Sequence, residues 1–113
     1  MGTAIQKSLT HLKTLGFKTE LAKWKTEHGK RGLFDLLDII GFHVQRKTTV
    51  AVRSVWLHET GMEMQKFLAS PWTHRMLMSG WHVEIQAWRK NVESKEGPSV
   101  TRFCMKDGKA AIL

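Results

Sequence analysis

The segment 33–57 constrains the fold more than any other part of the sequence. An apolar run at 33–42, a polar turn at 43–48 and a β-branched run at 49–57 follow one another. Runs of this kind predict two neighbouring strands. Asp38 stands inside the first strand, where burying a carboxylate is strongly unfavourable unless another group pairs with it. Asp38 is therefore the residue that most needs a partner.

The alternation of side chains along the two strands suggests that partner. Successive residues of a strand point to opposite faces, so Asp35 and Asp38 lie on different faces of the first strand. On the second strand, Arg53 is the only charge on its face. One expectation is therefore an ion pair between Asp38 and Arg53 on the adjacent strand, buried in the core.

The predicted helices begin at capping signals, and two of them end at glycines. The signals are Thr3 with Gln6 and Gly16, Thr60 with Glu63, and Ser70 with Pro71 and Gly80. The second helix is expected to extend to about residue 68. These signals predict one helix before the strand pair and two helices after it.

The other strands are predicted from apolar and polar alternation. They lie at 17–24, 81–88 and 100–105, with polar loops at 25–32 and 91–99 and a turn at 107–108. The element order is then α-β-β-β-α-α-β-β. This order predicts the α+β (α/β) class, with a single mixed β-sheet of three to five strands flanked by helices.

The length of 113 residues predicts a single domain, 1–113, that buries its own core. The core is expected at about 4–106, and 107–113 is expected to be a C-terminal tail. No apolar run of about eighteen residues occurs, so no membrane span is expected. The N-terminus lacks the apolar region of a signal peptide, and the lone Cys104 fits a reducing compartment. A cytoplasmic protein is therefore expected.

The charge of the chain favours a polyanionic partner. The formal net charge is +8 and the pI is near 10, and nucleic acid is the commonest intracellular polyanion. Basic residues beside tryptophans can contact both phosphates and bases. The candidate nucleic-acid-binding residues are Lys23, Trp24, Lys25, Lys30, Arg31, Trp88, Arg89 and Lys90. The alternative is a solvated basic rim whose tryptophans are half-buried in the core.

The element order and four short motifs resemble a known superfamily. The motifs are Lys30-Arg31, Leu33-Phe34 through Asp38-Ile39, Gln65-Lys66 and Trp88-Arg89-Lys90. With the Asp inside the second strand, they resemble the PD-(D/E)xK nucleases, and more closely the small, often phage-borne members, over most of residues 5–105. The resemblance implies a restriction-endonuclease-like fold. It also implies hydrolysis of phosphodiester bonds with the help of Mg²⁺. In that superfamily the second strand supplies an Asp, and the third strand supplies an acid and a Lys two residues apart; together they bind Mg²⁺ and activate water. An infected bacterial host is the location that the resemblance implies.

The third strand departs from that superfamily pattern. Counting back from Lys66 places Arg53 at the acid or Gln position and Val55 at the Lys or Thr position. Mg²⁺ needs two or more oxygen ligands, and an Arg at this place would repel it. Of the signature, Asp38 alone remains, which favours a degenerate site that needs no cofactor.

A relocated active site is the alternative. Its candidate catalytic residues are Asp38, Glu63 and Lys66, with Asp38 as a ligand of Mg²⁺. Glu20 and Glu59 are further carboxylates that such a site could use. Against this, the capping-box spacing already gives Glu63 a structural role.

Three functions remain open from the sequence. The first is a nucleic-acid-binding protein, with DNA as the expected partner, on a degenerate nuclease-like fold. The second is an active Mg²⁺-dependent endonuclease or exonuclease with a relocated site. The third is a mobile-element protein that binds a host protein or forms a homo-oligomer. The residues that could line such an interaction surface are Trp56, Trp72, Trp81, Met62, Met64, Met76 and Met78, although residues at these spacings are more often core.

Overall fold

The computed structural model describes residues 3–26, 29–34, 36–90 and 97–113, with the backbone alone for the described residues between 23 and 31. The helices are α1 (Ala4–Thr14), α2 (Thr60–Ala69) and α3 (Pro71–Met78), and a 3-10 turn at Leu57–Glu59 precedes α2. The strands are β1 (Lys18–Leu21), β2 (Lys23–Thr26), β3 (Gly29–Gly32), β4 (Ile39–His43), β5 (Thr48–Trp56), β6 (His82–Trp88), β7 (Ser99–Lys106) and β8 (Lys109–Ile112). Within the described residues, no helix has the length and apolarity that crossing a bilayer requires.

One mixed sheet of six strands forms the centre of the molecule. Its strand order is β1-β4-β5-β6-β7-β8, and β2 and β3 form a separate hairpin. β5 and β6 are parallel, whereas the other neighbouring strands of the sheet are antiparallel. Parallel neighbours need a crossover connection, which α2 and α3 provide. The predicted α+β class, the mixed sheet and the predicted order of helices and strands are confirmed. The predicted number of three to five strands is wrong, because β8 adds a strand that was not predicted and the sheet has six.

The two ends of the sheet carry different segments of the chain. Because β1 and β5 are both antiparallel to β4, the strands β1, β5 and β6 run in the same direction. We call the end at which these strands finish, at Leu21, Trp56 and Trp88, the carboxyl edge. The opposite end, which contains the β4–β5 turn and the β7–β8 turn, is the amino edge.

The core has two parts, one on each face of the sheet. Leu12 of α1 packs with Val50 and Val52 on one face. Phe67 of α2 packs with Val55 on the other face, because odd and even positions of β5 point in opposite directions. β6 is therefore covered by helices on both faces, which buries Gln86 and Trp88 as well as the apolar positions. The expectation of a half-buried strand at 81–88 is wrong for this reason.

The strand predicted at 33–42 is wrong in its first half. The amide N–H groups of Leu36 and Leu37 both donate to the carbonyl of Leu33, which closes a tight turn, and Phe34 has a φ of +57°. β4 begins after this turn, at Ile39. Leu36 and Leu37 are nevertheless buried. The apolar run reflects burial of the turn rather than an extended strand.

Two segments predicted to lack strands contain them. Residues 23–26 and 29–32 form the β2–β3 hairpin, where a loop was expected at 25–32. Residues 109–112 form β8 instead of a C-terminal tail, because Asp107 and Gly108 adopt φ values of +51° and +77° and turn the chain back along β7. An Asp-Gly pair is a common hairpin turn, so the signal for β8 was present in the sequence.

All three predicted helices begin within one residue of the predicted position, and two of the three predicted caps are confirmed. Thr3 and Gln6 form a reciprocal capping box, and the Ser70 hydroxyl accepts the Trp72 N–H before Pro71. The expected capping box of Thr60 and Glu63 is wrong. Thr60 is the first residue of α2, and its hydroxyl donates to the Leu57 carbonyl at 2.7 Å. Glu63 is thereby free to contact another group.

Gly32 is predicted to be required by the turn that precedes β4. A Cβ atom at this position would overlap the carbonyl oxygen of Leu37, which is backbone and cannot rotate away. We expect Gly32→Ala to lower the free energy of unfolding by about 1–3 kcal/mol, the range typical of overpacking. Chemical denaturation followed by tryptophan fluorescence measures this change.

Gly61→Ala is the matched control for that substitution. Gly61 lies in α2 and a Cβ there meets nothing within 4 Å. Alanine favours helices over glycine, so this variant should be neutral or more stable by up to about 1 kcal/mol. Equal stability of the two variants would contradict the steric account of Gly32.

Candidate functional site

Asp38 lies in the interior at the start of β4 and is fully buried. Its Oδ1 atom accepts a hydrogen bond from Nη1 of Arg53 at 2.8 Å, and its Oδ2 atom accepts one from the backbone N–H of Ser54 at 2.8 Å. Its backbone N–H donates to the Val52 carbonyl and its carbonyl accepts the Ala22 N–H. The predicted ion pair of Asp38 with Arg53 is confirmed.

Glu63 is the second carboxylate that contacts Arg53. It is buried in the first turn of α2, with Oε2 at 3.3 Å from Nε of Arg53 and Oε1 at 3.5 Å from Nη2. The chain reaches α2 directly from the end of β5, so the first turn of the helix lies over the face that carries Arg53. We call Asp38, Arg53 and Glu63 the ion triad. The sequence suggested a capping role for Glu63, and the structure assigns it to the ion triad.

The electrostatics of the ion triad keep Arg53 charged. Burial lowers the pKa of the Arg53 guanidinium, but the carboxylates of Asp38 and Glu63 outweigh that effect and raise the pKa above its ordinary value. Arg53 therefore carries its positive charge across the whole pH range in which proteins are handled. The cation that contacts both carboxylates is therefore a side chain of the protein itself.

The residues of the ion triad do not fit a magnesium ion. Mg²⁺ requires oxygen ligands in near-octahedral geometry, and the guanidinium already lies between the two carboxylates that would have to supply them. A divalent ion at that place would also face the charge of Arg53. In the part of the chain that the structure describes, no three His, Cys, Asp or Glu side chains are grouped as metal ligands.

The other candidates for a relocated active site lie outside the ion triad. Lys66 is exposed on α2, one turn after Glu63, and Glu20 is exposed on β1. Glu59 accepts the backbone N–H of Trp56 at 2.9 Å and so closes the turn before α2. The structure thus brings Asp38 and Glu63 together, but around an arginine.

The predicted nucleic-acid-binding residues converge on the carboxyl edge. The β2–β3 hairpin follows β1, and Arg89 and Lys90 follow β6, so both segments lie at that end of the sheet. Arg89 and Lys90 are exposed, and the Lys90 ammonium lies 5.6 Å from the centre of the Trp56 ring. For the hairpin the structure describes the backbone, and the predicted side chains there lie outside the described set. They are Lys23, Trp24, Lys25, Lys30 and Arg31.

Trp88 is a core residue rather than a contact surface. It is 6% exposed, and its indole N–H donates to the Ser8 hydroxyl of α1 at 2.8 Å. His11 packs edge-on against the ring. A free face for stacking on a base was expected of Trp88, and that expectation is wrong because α1 covers this face of β6.

The residues proposed for a protein-interaction surface do not form one patch. Met76 is buried, and Trp81 and Met64 pack against the core. Trp72 lies parallel to Phe34 at 4.1 Å, and the Arg75 guanidinium lies 4.5 Å from the same ring, so the two neighbours occupy opposite faces. Met62 and Met78 are exposed, on different helices.

Sequence reasoning missed a further group of basic residues. Lys13, Lys18, Arg46 and Lys47 are exposed at the amino edge, where α1 ends and the β4–β5 turn lies. Lys13 and Lys18 lie about thirty residues before the Arg46-Lys47 pair, and neither group has a tryptophan beside it, so no local pattern marked them as one surface. Only the topology brings them to one end of the sheet.

Comparisons with protein-family models, with curated proteins and with solved structures gave no significant match. A function can therefore be inferred only from the contacts, burial and charge of the described residues.

The ion triad is predicted to be required for stability. Arg53→Met leaves the fully buried Asp38 carboxylate without its guanidinium, which should lower the free energy of unfolding by about 3 kcal/mol. We place the value at the lower end of the range for buried pairs because the Arg53 side chain is 24% exposed. Urea denaturation measures the change.

A double-mutant cycle tests whether that loss arises from the pair. Asp38→Asn removes the charge but keeps the size of the side chain and an oxygen that can accept the Ser54 N–H. The double variant Asp38→Asn/Arg53→Met should be more stable than the sum of the single changes predicts, by about 1 kcal/mol or more. Additive losses would show that the two residues stabilise the fold independently.

Proposed function

We propose that the protein binds nucleic acid, with DNA as the expected partner, through phosphate contacts and without catalysing its hydrolysis. The observation that carries this proposal is the difference in solvent exposure between acidic and basic side chains. Among the described residues, the exposed carboxylates are Glu20 and Asp107, whereas eleven Lys and Arg side chains are exposed. A surface of this kind attracts polyanions over long distances.

Internal contacts of the carboxylates create this unequal surface. Asp38 and Glu63 are buried and share one arginine as their ion-pair partner. Glu84 is half-buried, within 3.8 Å of Arg102 and hydrogen-bonded to Gln86 at 2.9 Å. Among the described residues, four of the six carboxylates are thus used within the fold, whereas most lysines and arginines are exposed. This difference gives the described surface its excess of basic charge.

The carboxyl edge is the first surface that we assign to nucleic acid. The hairpin with its four basic positions and the Arg89–Lys90 pair lie at this end, separated by the width of β4 and β5. Neighbouring strands are about 4.8 Å apart, so the ends of β1 and β6, from which these two segments continue, are about 14 Å apart, a distance that can span a groove of a duplex. Contacts to phosphates rather than to bases agree with the burial of Trp88.

The element order supports the superfamily resemblance, and the ion triad supports loss of catalysis. With the hairpin set aside, the order α1-β1-β4-β5-α2-β6 is the one that suggested the PD-(D/E)xK superfamily. The Asp of the second strand is retained in place, but it contacts an arginine where that superfamily holds a metal ion. In this proposal the old catalytic pocket stabilises the fold, in a cytoplasmic protein whose single Cys104 is a free thiol.

Salt dependence tests the binding proposal. A fluorescent duplex should bind at low salt, and the logarithm of its association constant should fall linearly with the logarithm of the salt concentration, because bound phosphates release counterions. Arg89→Ala/Lys90→Ala should reduce the slope by about 2, one for each lost phosphate contact. Fluorescence anisotropy at several salt concentrations measures both quantities.

Arg89→Lys/Lys90→Arg is the control, since it keeps both charges at the same places. Its salt slope should match that of the unaltered protein. Absence of duplex binding even at low salt would overturn the proposed function. Binding whose slope is unchanged in the alanine variant would remove Arg89 and Lys90 from the interface.

The loss of catalysis is tested with supercoiled plasmid in Mg²⁺ or Mn²⁺. No nicking is expected, because the ion triad holds a guanidinium where a metal would have to bind. Gel electrophoresis of the plasmid beside the Asp38→Ala variant gives the readout. Nicking by the unaltered protein that Asp38→Ala removes would establish an active nuclease instead.

A further inference from the structure

The amino edge carries a second row of exposed basic residues. Its members are Lys13, Lys18, Arg46, Lys47, Lys106 and Lys109. They come from the last turn of α1, the start of β1, the β4–β5 turn and the β7–β8 turn. Asp107 is the exposed carboxylate among these turns. This edge therefore has a positive charge of its own, at the opposite end of the sheet from Arg89 and Lys90.

Packing contacts connect the segment between α1 and β1 to the β4–β5 turn. The ring of Phe17, between α1 and β1, packs edge-on against His43 at 5.2 Å. The Nδ1 atom of His43 accepts the backbone N–H of Arg46 at 3.2 Å, which fixes the start of the β4–β5 turn. A depression of about 410 Å³ lies beside these contacts and is lined by Lys13 and Lys18, with Glu20 on its wall. These contacts hold the backbone segments that carry Lys18, Arg46 and Lys47 next to one another.

Lys47 lies at the end of the β4–β5 turn. It has a φ of +52°, in the left-handed region that Gly and Asn favour and that a lysine rarely adopts. Its backbone N–H donates to the Val44 carbonyl at 3.3 Å, and a left-handed residue is common at the end of such a hairpin turn. By comparison, Asp107 at +51° is an ordinary choice for a hairpin turn.

The dimensions separate the two basic edges. β5 extends from the amino edge to the carboxyl edge. Its nine residues span about 30 Å at the usual rise per residue. Along the amino edge, the row extends across six strands, from Lys18 on β1 to Lys109 on β8, about 24 Å, which is enough to follow several phosphates. A straight duplex on one edge therefore leaves the other edge unoccupied.

We propose that the amino edge is a second phosphate-binding surface, so that one molecule holds two nucleic-acid segments and bridges them. This inference rests on the proposed function. The two surfaces are alike in chemistry, since each offers exposed lysines and arginines on a turn or strand end. They differ in position, so that each contacts its own segment.

A bridging assay with two duplexes tests this proposal. One short duplex is fixed to beads, and a second, fluorescent duplex of the same sequence stays in solution. The unaltered protein should retain the fluorescent duplex on the beads at low salt. Arg46→Ala/Lys47→Gly should lose this retention, while its affinity for a single duplex in solution falls only about twofold, the statistical effect of losing one of two equal sites.

The variants are chosen so that misfolding cannot imitate the result. Lys47→Gly relieves the left-handed strain, so the thermal midpoint of the double variant should not fall. Gln45→Ala changes the same exposed turn without removing a charge and should retain the fluorescent duplex. Loss of retention in Gln45→Ala as well would attribute the effect to the turn and overturn the proposal.

The outcomes separate this proposal from the proposed function. Unchanged retention with Arg46→Ala/Lys47→Gly would overturn the proposed second surface but would leave the proposed duplex binding intact. Bridging of the two duplexes by a dimer of the protein would give this unchanged retention. No retention by the unaltered protein, together with saturation at one duplex per molecule, would also overturn it. Failure to bind even the fixed duplex would overturn both proposals.

Discussion

The contact between the buried carboxylate of Asp38 and the guanidinium of Arg53 is the interaction on which the rest of the structure depends. Asp38 joins β4 to β5 through its side chain and to the end of β1 through its backbone, and Arg53 extends the connection to α2 through Glu63. Removing Arg53 would leave the buried Asp38 carboxylate without its guanidinium, whereas Arg53 without Asp38 would still contact Glu63. The same three residues therefore connect β4, β5, the end of β1 and the first turn of α2.

The same contacts also shape the described surface. Asp38 and Glu63 share one arginine, and two further acids, Glu59 and Glu84, contact groups of the fold. Among the residues whose side chains the structure describes, lysines and arginines therefore outnumber carboxylates at the surface. The ion triad and this basic surface are thus two consequences of how the described acids are used.

Much of the fold was predictable because it rests on local signals. The capping box at Thr3, the Ser70-Pro71 start and the β-branched run of β5 each specify their element within a few residues, and their structures agree with the prediction. The Asp38–Arg53 pair was predictable as well, because a charge within an apolar strand needs a partner. The turn at 33–38 was not, because burial of Leu36 and Leu37 gives an apolar run whether the backbone is extended or folded back.

By itself the sequence determined the class of the fold, the buried ion pair and the excess of basic charge, since these follow from residue type and spacing along the chain. Only the tertiary structure decided the roles of Glu63 and Trp88, because the neighbours of these side chains are remote in sequence: Glu63 contacts Arg53 rather than its own helix end, and α1 covers Trp88. The assembly of Lys18, Arg46 and Lys106 at one edge was likewise decided there. Strand direction and order place these residues, and no local pattern encodes either property.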